Sequence, residues 1–130
     1  MRLCLRLALL SAWLVLQAGS RAAEVIAHPS VSLDAEEIRE LFLGEKQFVG
    51  PLKLVPVDNS AIHREFLSKI LQTDARTYTA RWTKKSFREG LVAPDVKGSD
   101  AEVTAFVRAT PGAVGYISGT ATGVKILLKF

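Results

Sequence analysis

Apolar and polar positions along this chain come in blocks whose period switches between two and nearly four. Glu24-Val-Ile-Ala27 is a short apolar run that predicts a buried strand, and it ends in the turn-prone His28-Pro-Ser30. The period then lengthens. Ile38, Leu41 and Phe42 fall at i, i+3 and i+4 on one face, Asp34 and Glu37 have capping-box spacing ahead of them, and Gly44 supplies the stop. After Gly50-Pro51, Leu52 to Val57 predicts a second strand, with Pro56 near its end or on an edge because it cannot donate to a ladder. Strand, helix, strand in this order predicts a right-handed parallel crossover. Asp58-Asn-Ser60 is placed to cap a helix over residues 61–72, whose apolar face is Ile62, Phe66, Leu67, Ile70 and Leu71. Asp74 can cap another, with Tyr78 and Trp82 four apart. Residues 87–97, holding Gly90 and Pro94, predict a loop. Ser99 and Glu102 form a second capping box before Val103, Phe106 and Val107, and Pro111-Gly112 ends that helix. A strand over Ala113 to Ile117, a hairpin turn over Ser118 to Gly123 and a closing strand over Val124 to Phe130 complete the chain. The pattern predicts one α/β layer structure, a mostly parallel sheet flanked by helices, with no repeats and no second domain.

The first 22 residues follow a different rule. Arg2 and Arg6 precede an apolar stretch from about Leu7 to Leu16, and Ser20 and Ala22 supply small residues at the end. This is the pattern of a cleavable secretory signal peptide, too short for the roughly 20 apolar residues that span a bilayer. Cleavage after Ala22 leaves a domain of residues 23–130, exported to the periplasm and with no membrane span of its own. The split changes the charge picture. The whole chain has 17 Lys and Arg against 13 Asp and Glu, but three arginines leave with the leader, and residues 23–130 carry a net charge of +1. A general nucleic-acid binder is therefore disfavoured. The one cysteine, Cys4, lies in the leader, which excludes disulfide scaffolds and Cys-based metal or redox sites.

Catalysis has little support. Only His28 and His63 remain as imidazoles, no G-x-S-x-G elbow is present and no carboxylate pair stands out, so the expectation is a non-enzyme that needs no cofactor. The informative stretch is Val57 to Phe66, where a strand's carboxyl end meets the start of a helix, the place at which open α/β sheets bind ligands. Free N–H groups there attract an anion. Asn59 and Ser60 offer hydrogen bonds, His63 lies near, and Arg64 supplies charge one turn on. The plainer reading of the same residues is that Asn59 or Ser60 caps the helix and Arg64 faces water. Arg76, Arg81, Lys84, Lys85 and Arg88 interleave with Tyr78, Trp82 and Phe87, a pattern read as aromatics packed inward beneath a solvated basic face. Ser118-Gly-Thr120 lies between strands with no helix after it and reads as a turn.

Taken together and in order, Val25-Ile-Ala-His-Pro29, Ile38-Arg-Glu-Leu-Phe-Leu-Gly44, Leu54-Val-Pro-Val-Asp58, Tyr78 to Trp82 and Pro111-Gly-Ala-Val-Gly-Tyr-Ile117 resemble the phosphate-binding proteins of ABC transporters. The likeness is to their short, single-lobe (PstS-like) relatives. It implies one α/β lobe of a type II periplasmic binding fold and an extracytoplasmic role in capturing inorganic phosphate or a similar oxyanion. It also implies a partner, whether an ABC permease, an envelope protein or a homodimer mate. In full-length members the oxyanion lies between two lobes, and this lobe contributes an arginine and a Ser-Gly-Thr triplet before a helix. Here Asp58-Asn-Ser-Ala-Ile-His-Arg64 stands at that place without the triplet, so the ligand-binding residues expected are Asn59, Ser60, His63 and Arg64. The alternative is a single-lobe interaction module of the cell envelope that has lost phosphate binding.

Overall fold

The structure is a computed structural model that describes residues 22–130; apart from Ala22, the expected leader lies outside the described residues. Seven strands and four helices follow one another as β1 (Glu24–Ala27), α1 (Ala35–Phe42), β2 (Phe48–Val49), β3 (Leu52–Lys53), β4 (Val55–Asn59), α2 (His63–Phe66), α3 (Ala75–Glu89), β5 (Asp95–Lys97), α4 (Asp100–Ala109), β6 (Ala113–Ile117) and β7 (Lys125–Lys129). Five strands form one sheet in the order β5-β4-β6-β1-β7, and β2 and β3 make a separate small hairpin.

The sheet is mostly parallel in direction, with one strand reversed. β4 runs parallel to both β5 and β6, while β1 lies antiparallel to β6 on one side and to β7 on the other. The expected parallel crossover from the first strand to the second is thus not formed: β1 opposes β4 and sits two places away from it. The same insertion corrects the hairpin expected at Ser118 to Gly123. β6 and β7 each pair with β1 rather than with one another, so residues 118–124 carry the chain across β1. Arg108 pins this connection, donating from Nε to the Thr122 carbonyl at 2.6 Å.

Period-two alternation sorts the sheet residues onto two faces. Val25, Ala27, Val114 and Tyr116 join a core under α1, α2 and α3, with Ile38, Phe42, Phe66 and Trp82. Ile26, Val57, Ala113 and Ile117 meet Val103 and Val107 of α4 on the other face. Every residue of β1 and β6 is buried, as expected for strands covered on both sides. Burying each large apolar side chain contributes about 1.5–3 kcal/mol, so the two faces together supply most of the gross stabilisation.

Helix α1 begins as its sequence predicts. Asp34 accepts from the Glu37 N–H at 2.8 Å, and Glu37 accepts in return from the Asp34 N–H at 3.2 Å. The second capping box forms only by half: Ser99 accepts from Glu102 N–H, but the Glu102 carboxylate reaches back to Gly98 instead. Two further expectations change. Helix α3 runs through Phe87 to Glu89 and ends with Gly90 in the left-handed conformation, where a loop was expected, and residues 95–97 form the edge strand β5. Where residues 61–72 predict one capped helix, α2 is four residues long with Ile62 at its N-cap and no side-chain cap, and it continues as a π-helical segment over Leu67–Leu71.

Candidate functional site

Strand β4 extends two residues beyond its expected end, through Asp58 and Asn59, and both are buried. The pleat sends them to opposite faces of the sheet, so each meets a different set of partners.

Asn59 faces α4 and is fully buried. Its Nδ2 donates to Asp100 Oδ1 at 2.8 Å and to the Tyr116 carbonyl at 3.0 Å, which uses both amide hydrogens, while Oδ1 accepts from Ala61 N–H at 3.0 Å. Asn59 therefore shapes the turn and ties β4 to β6 and α4; it does not cap α2. Asp100 is held in the same cluster, accepting from the Ser118 hydroxyl at 2.6 Å and from its N–H at 3.2 Å. Ser60 and Arg64 are exposed on the same turn, and Ser60 N–H donates to the Lys97 carbonyl at 2.9 Å.

Asp58 faces the α3 side. Its Oδ2 accepts from the Tyr78 hydroxyl at 2.9 Å, and its Oδ1 accepts from the Tyr116 hydroxyl at 2.9 Å. His63 Nδ1 lies 2.8 Å from the Tyr116 oxygen and 3.9 Å from Asp58 Oδ1. Burial pushes the Asp58 carboxyl above its ordinary value, opposed by the two tyrosine hydroxyls and by His63. Both tyrosines are pushed up as well, first by burial and then by the Asp58 charge beside them. The proton inventory sets the imidazole. With Asp58 ionised, the single Tyr116 O–H is donated to it and Nδ1 supplies the hydrogen that reaches the Tyr116 oxygen. In the neutral ring Nε2 is then an acceptor, and it has no hydrogen bond among the described residues.

This network forms the floor of a cleft of about 620 Å³ between α3 and β5. Asp58, His63 and Tyr78 lie at its base, and Trp82, Phe87 and Pro94 wall it. Register explains the last wall: Asp58 stands opposite Val96 on β5, which also lines the cleft. The Trp82 indole N–H donates to the Phe42 carbonyl at 3.0 Å, fixing the ring against the core. Phe87 does not pack inward as expected, since it is 92% exposed on the rim. Arg81 turns away, donating to the Leu43 carbonyl and pairing with Glu45.

Of the four residues expected to bind a ligand, the structure thus gathers Ser60 and Arg64 on an exposed turn, sets His63 toward the tyrosines and commits the Asn59 amide to the protein. Asp58, Tyr78 and Tyr116 were not read as site residues. A signal for two of them existed: an Asp directly after an apolar strand run and a Tyr within a fully apolar strand both need partners when buried. No group of three or more His, Cys, Asp or Glu placed to hold a metal ion exists among the described residues. No helix among them is long and apolar enough to cross a membrane.

The described residues form one α/β lobe with a cleft beside its sheet. Comparison with solved structures supports that architecture. The chain is similar to a phosphate ABC transporter substrate-binding protein from Clostridium perfringens with bound phosphate, at TM-score 0.60 and 16% identity over 82% of this chain and 44% of that one. It is similar to PstS from Borrelia burgdorferi at TM-score 0.53 and 20% identity, covering 82% of this chain and 46% of that one. An ABC-type phosphate transport receptor from Vibrio cholerae matches at TM-score 0.49 and 17% identity, over 82% and 45%. The chain spans less than half the length of each. Its fold is that of a single lobe of the Clostridium perfringens and Borrelia burgdorferi proteins. No protein-family model and no curated protein sequence matches it.

Proposed function

We propose that this chain is an exported, non-enzymatic solute-binding lobe that captures phosphate or a related oxyanion at the turn between β4 and α2. The observation that carries the reading is the shared fold with substrate-binding structures of phosphate transporters, one of them holding phosphate. Residues 1–22 serve as the cleavable leader that delivers residues 23–130 to the periplasm. At the turn, Asn59 holds the backbone in shape, the Ser60 hydroxyl and the Arg64 guanidinium are exposed to a ligand, and His63 links the turn to the sheet. One lobe covers about one side of an anion, whereas good small-molecule sites surround their ligand, so a second copy, an envelope protein or an ABC permease closes the site.

Thermal melts in a phosphate, sulfate and acetate series test this. A ligand at about 100 times its dissociation constant stabilises the native state by about 2.7 kcal/mol, a visible rise in Tm. Phosphate should give that rise, and Arg64→Ala should remove it. A flat response to all three anions, or one that survives Arg64→Ala, rejects the site. The second reading, an envelope interaction module, is favoured by the exposure of Phe87, Val92 and Val96 at 92%, 85% and 66%. A stable envelope partner recovered together with a flat phosphate response would select it.

A further inference from the structure

The cleft between α3 and β5 has a chemistry opposite to that of an anion site. Helical spacing divides α3 into two faces. Tyr78, Thr79, Trp82, Thr83, Ser86 and Phe87 line the cleft, and none carries a charge. Arg81, Lys84, Lys85 and Arg88 gather with Glu89 around a separate hollow. No Lys or Arg therefore lines the cleft, while the Asp58 carboxylate lies at its base. The Thr79, Thr83 and Ser86 hydroxyls there can donate or accept, and the polar atoms beside Asp58 offer acceptors. The Tyr78 hydroxyl spends its proton on Asp58 and keeps acceptor capacity, and His63 Nε2, which has no hydrogen bond among the described residues, accepts when the ring is neutral. An oxyanion entering the cleft would meet the Asp58 carboxylate with no Lys or Arg to offset it. A cation would meet a favourable charge and aromatic side chains.

Shape agrees with a small ligand. A volume of about 620 Å³ lies within the range of small-molecule pockets, which combine apolar walls with a few convergent polar groups. The walls are Trp82, held rigid by its bond to Phe42, together with Pro94, Val96 and Phe87. Exposed apolar residues scattered singly are ordinary, but Phe87 and Val96 stand on the rim of one concavity.

We propose that this cleft binds a small organic cation, its aromatic or branched body against Trp82, Phe87 and Pro94 and its N–H groups on His63 Nε2 and the Tyr78 oxygen above Asp58. The proposal does not rest on the oxyanion reading, with which it shares only His63.

Calorimetry on the full chain with tryptamine, indole-3-acetate and inorganic phosphate tests it, because the first two share an indole and differ in the sign of the head group. Tryptamine should bind about tenfold tighter than indole-3-acetate, the scale expected when one head group is attracted and the other repelled at a partly buried charge. Phe87→Ala, at an exposed position where folding is not at stake, should weaken tryptamine severalfold, and Arg64→Ala should leave it unchanged. Asp58→Asn should bring the two indoles to similar affinity wherever that variant folds. Equal or reversed preference, insensitivity to Phe87→Ala, or no heat from tryptamine at about 10 mM would overturn the proposal. The phosphate arm reports on the turn alone, so failure there leaves this result standing.

Discussion

Replacing Tyr116 by Phe removes one oxygen from the buried network and almost nothing else. The Tyr116 ring is fully buried, stacked on Phe66 at a centroid distance of 3.8 Å and edge-on to Phe42 at 5.8 Å, and Phe keeps both contacts. What is lost is the 2.9 Å hydrogen bond to Asp58 and the acceptor for His63 Nδ1. A hydrogen bond to a charged group contributes about 1.5–3 kcal/mol. The His63 side chain is 28% exposed and can turn to water, which keeps its share small. The expected cost at neutral pH is therefore about 2 kcal/mol. Its pH dependence has a definite sign. Burial raises the Asp58 carboxyl above its ordinary value, so the native state holds that proton more tightly than the unfolded chain does. The penalty for carrying Asp58 charged is absent below the unfolded value and grows as pH rises through the folded one. Tyr116 offsets part of that penalty, and only while Asp58 is ionised. Urea unfolding of both proteins across a pH series, followed by far-UV circular dichroism, should show the cost of Tyr116→Phe falling as acid protonates Asp58. A cost constant across the series, or larger in acid, would refute the assignment of a charged Asp58 to this network.

Two glycines separate backbone from side-chain constraint. At Gly112, φ is +83° and an added Cβ would lie 2.1 Å from the Lys53 carbonyl oxygen, so Gly112→Ala should cost about 3 kcal/mol or more in urea unfolding or fail to fold. At Gly115 the added Cβ would meet Val103 Cγ1 at 2.6 Å and Val57 Cγ1 at 2.9 Å, side chains that can yield, and the expected cost is about 1–3 kcal/mol. Gly115→Ala with Val103→Ala should recover part of that loss in a double-mutant cycle, since the two changes share one contact. Asp34→Ala removes the α1 cap and should cost about 1 kcal/mol, read as a fall in Tm of about 4–8 °C.

Much of the fold could be read from local chemistry. The caps at Asp34, Asp74 and Ser99 and the apolar faces after them place the starts of α1, α3 and α4, because cap and face lie within one turn of each other in the chain. The reversal of β1 could not be read this way. Its four residues are apolar enough to be buried in either direction, and direction is decided by which strands flank it, β6 and β7, some 90 to 100 positions later. The end of α3 was missed for a simpler reason. Phe87 looks like a core residue in a broken pattern, whereas the helix continues beneath it and leaves it on the rim, its place set by the cleft rather than by the core.

The candidate site was legible as a junction and not as a grouping. The meeting of a strand's carboxyl end with a helix singles out residues 58–64, where Asp58, Asn59 and His63 enter hydrogen-bond networks, but neighbours along a strand point to opposite faces. Asp58 and Asn59 consequently belong to different structures. Asn59 works with Asp100 to hold β4 against α4, and its amide is spent in doing so. Asp58 finds its partners 20 and 58 residues away, at Tyr78 and Tyr116, across a helix and a second strand. A window along the sequence joins what the sheet separates. The separation also leaves Ser60 and Arg64 exposed on the turn while Asp58, hydrogen-bonded by two tyrosines, faces the adjacent cleft, whose lining holds no Lys or Arg.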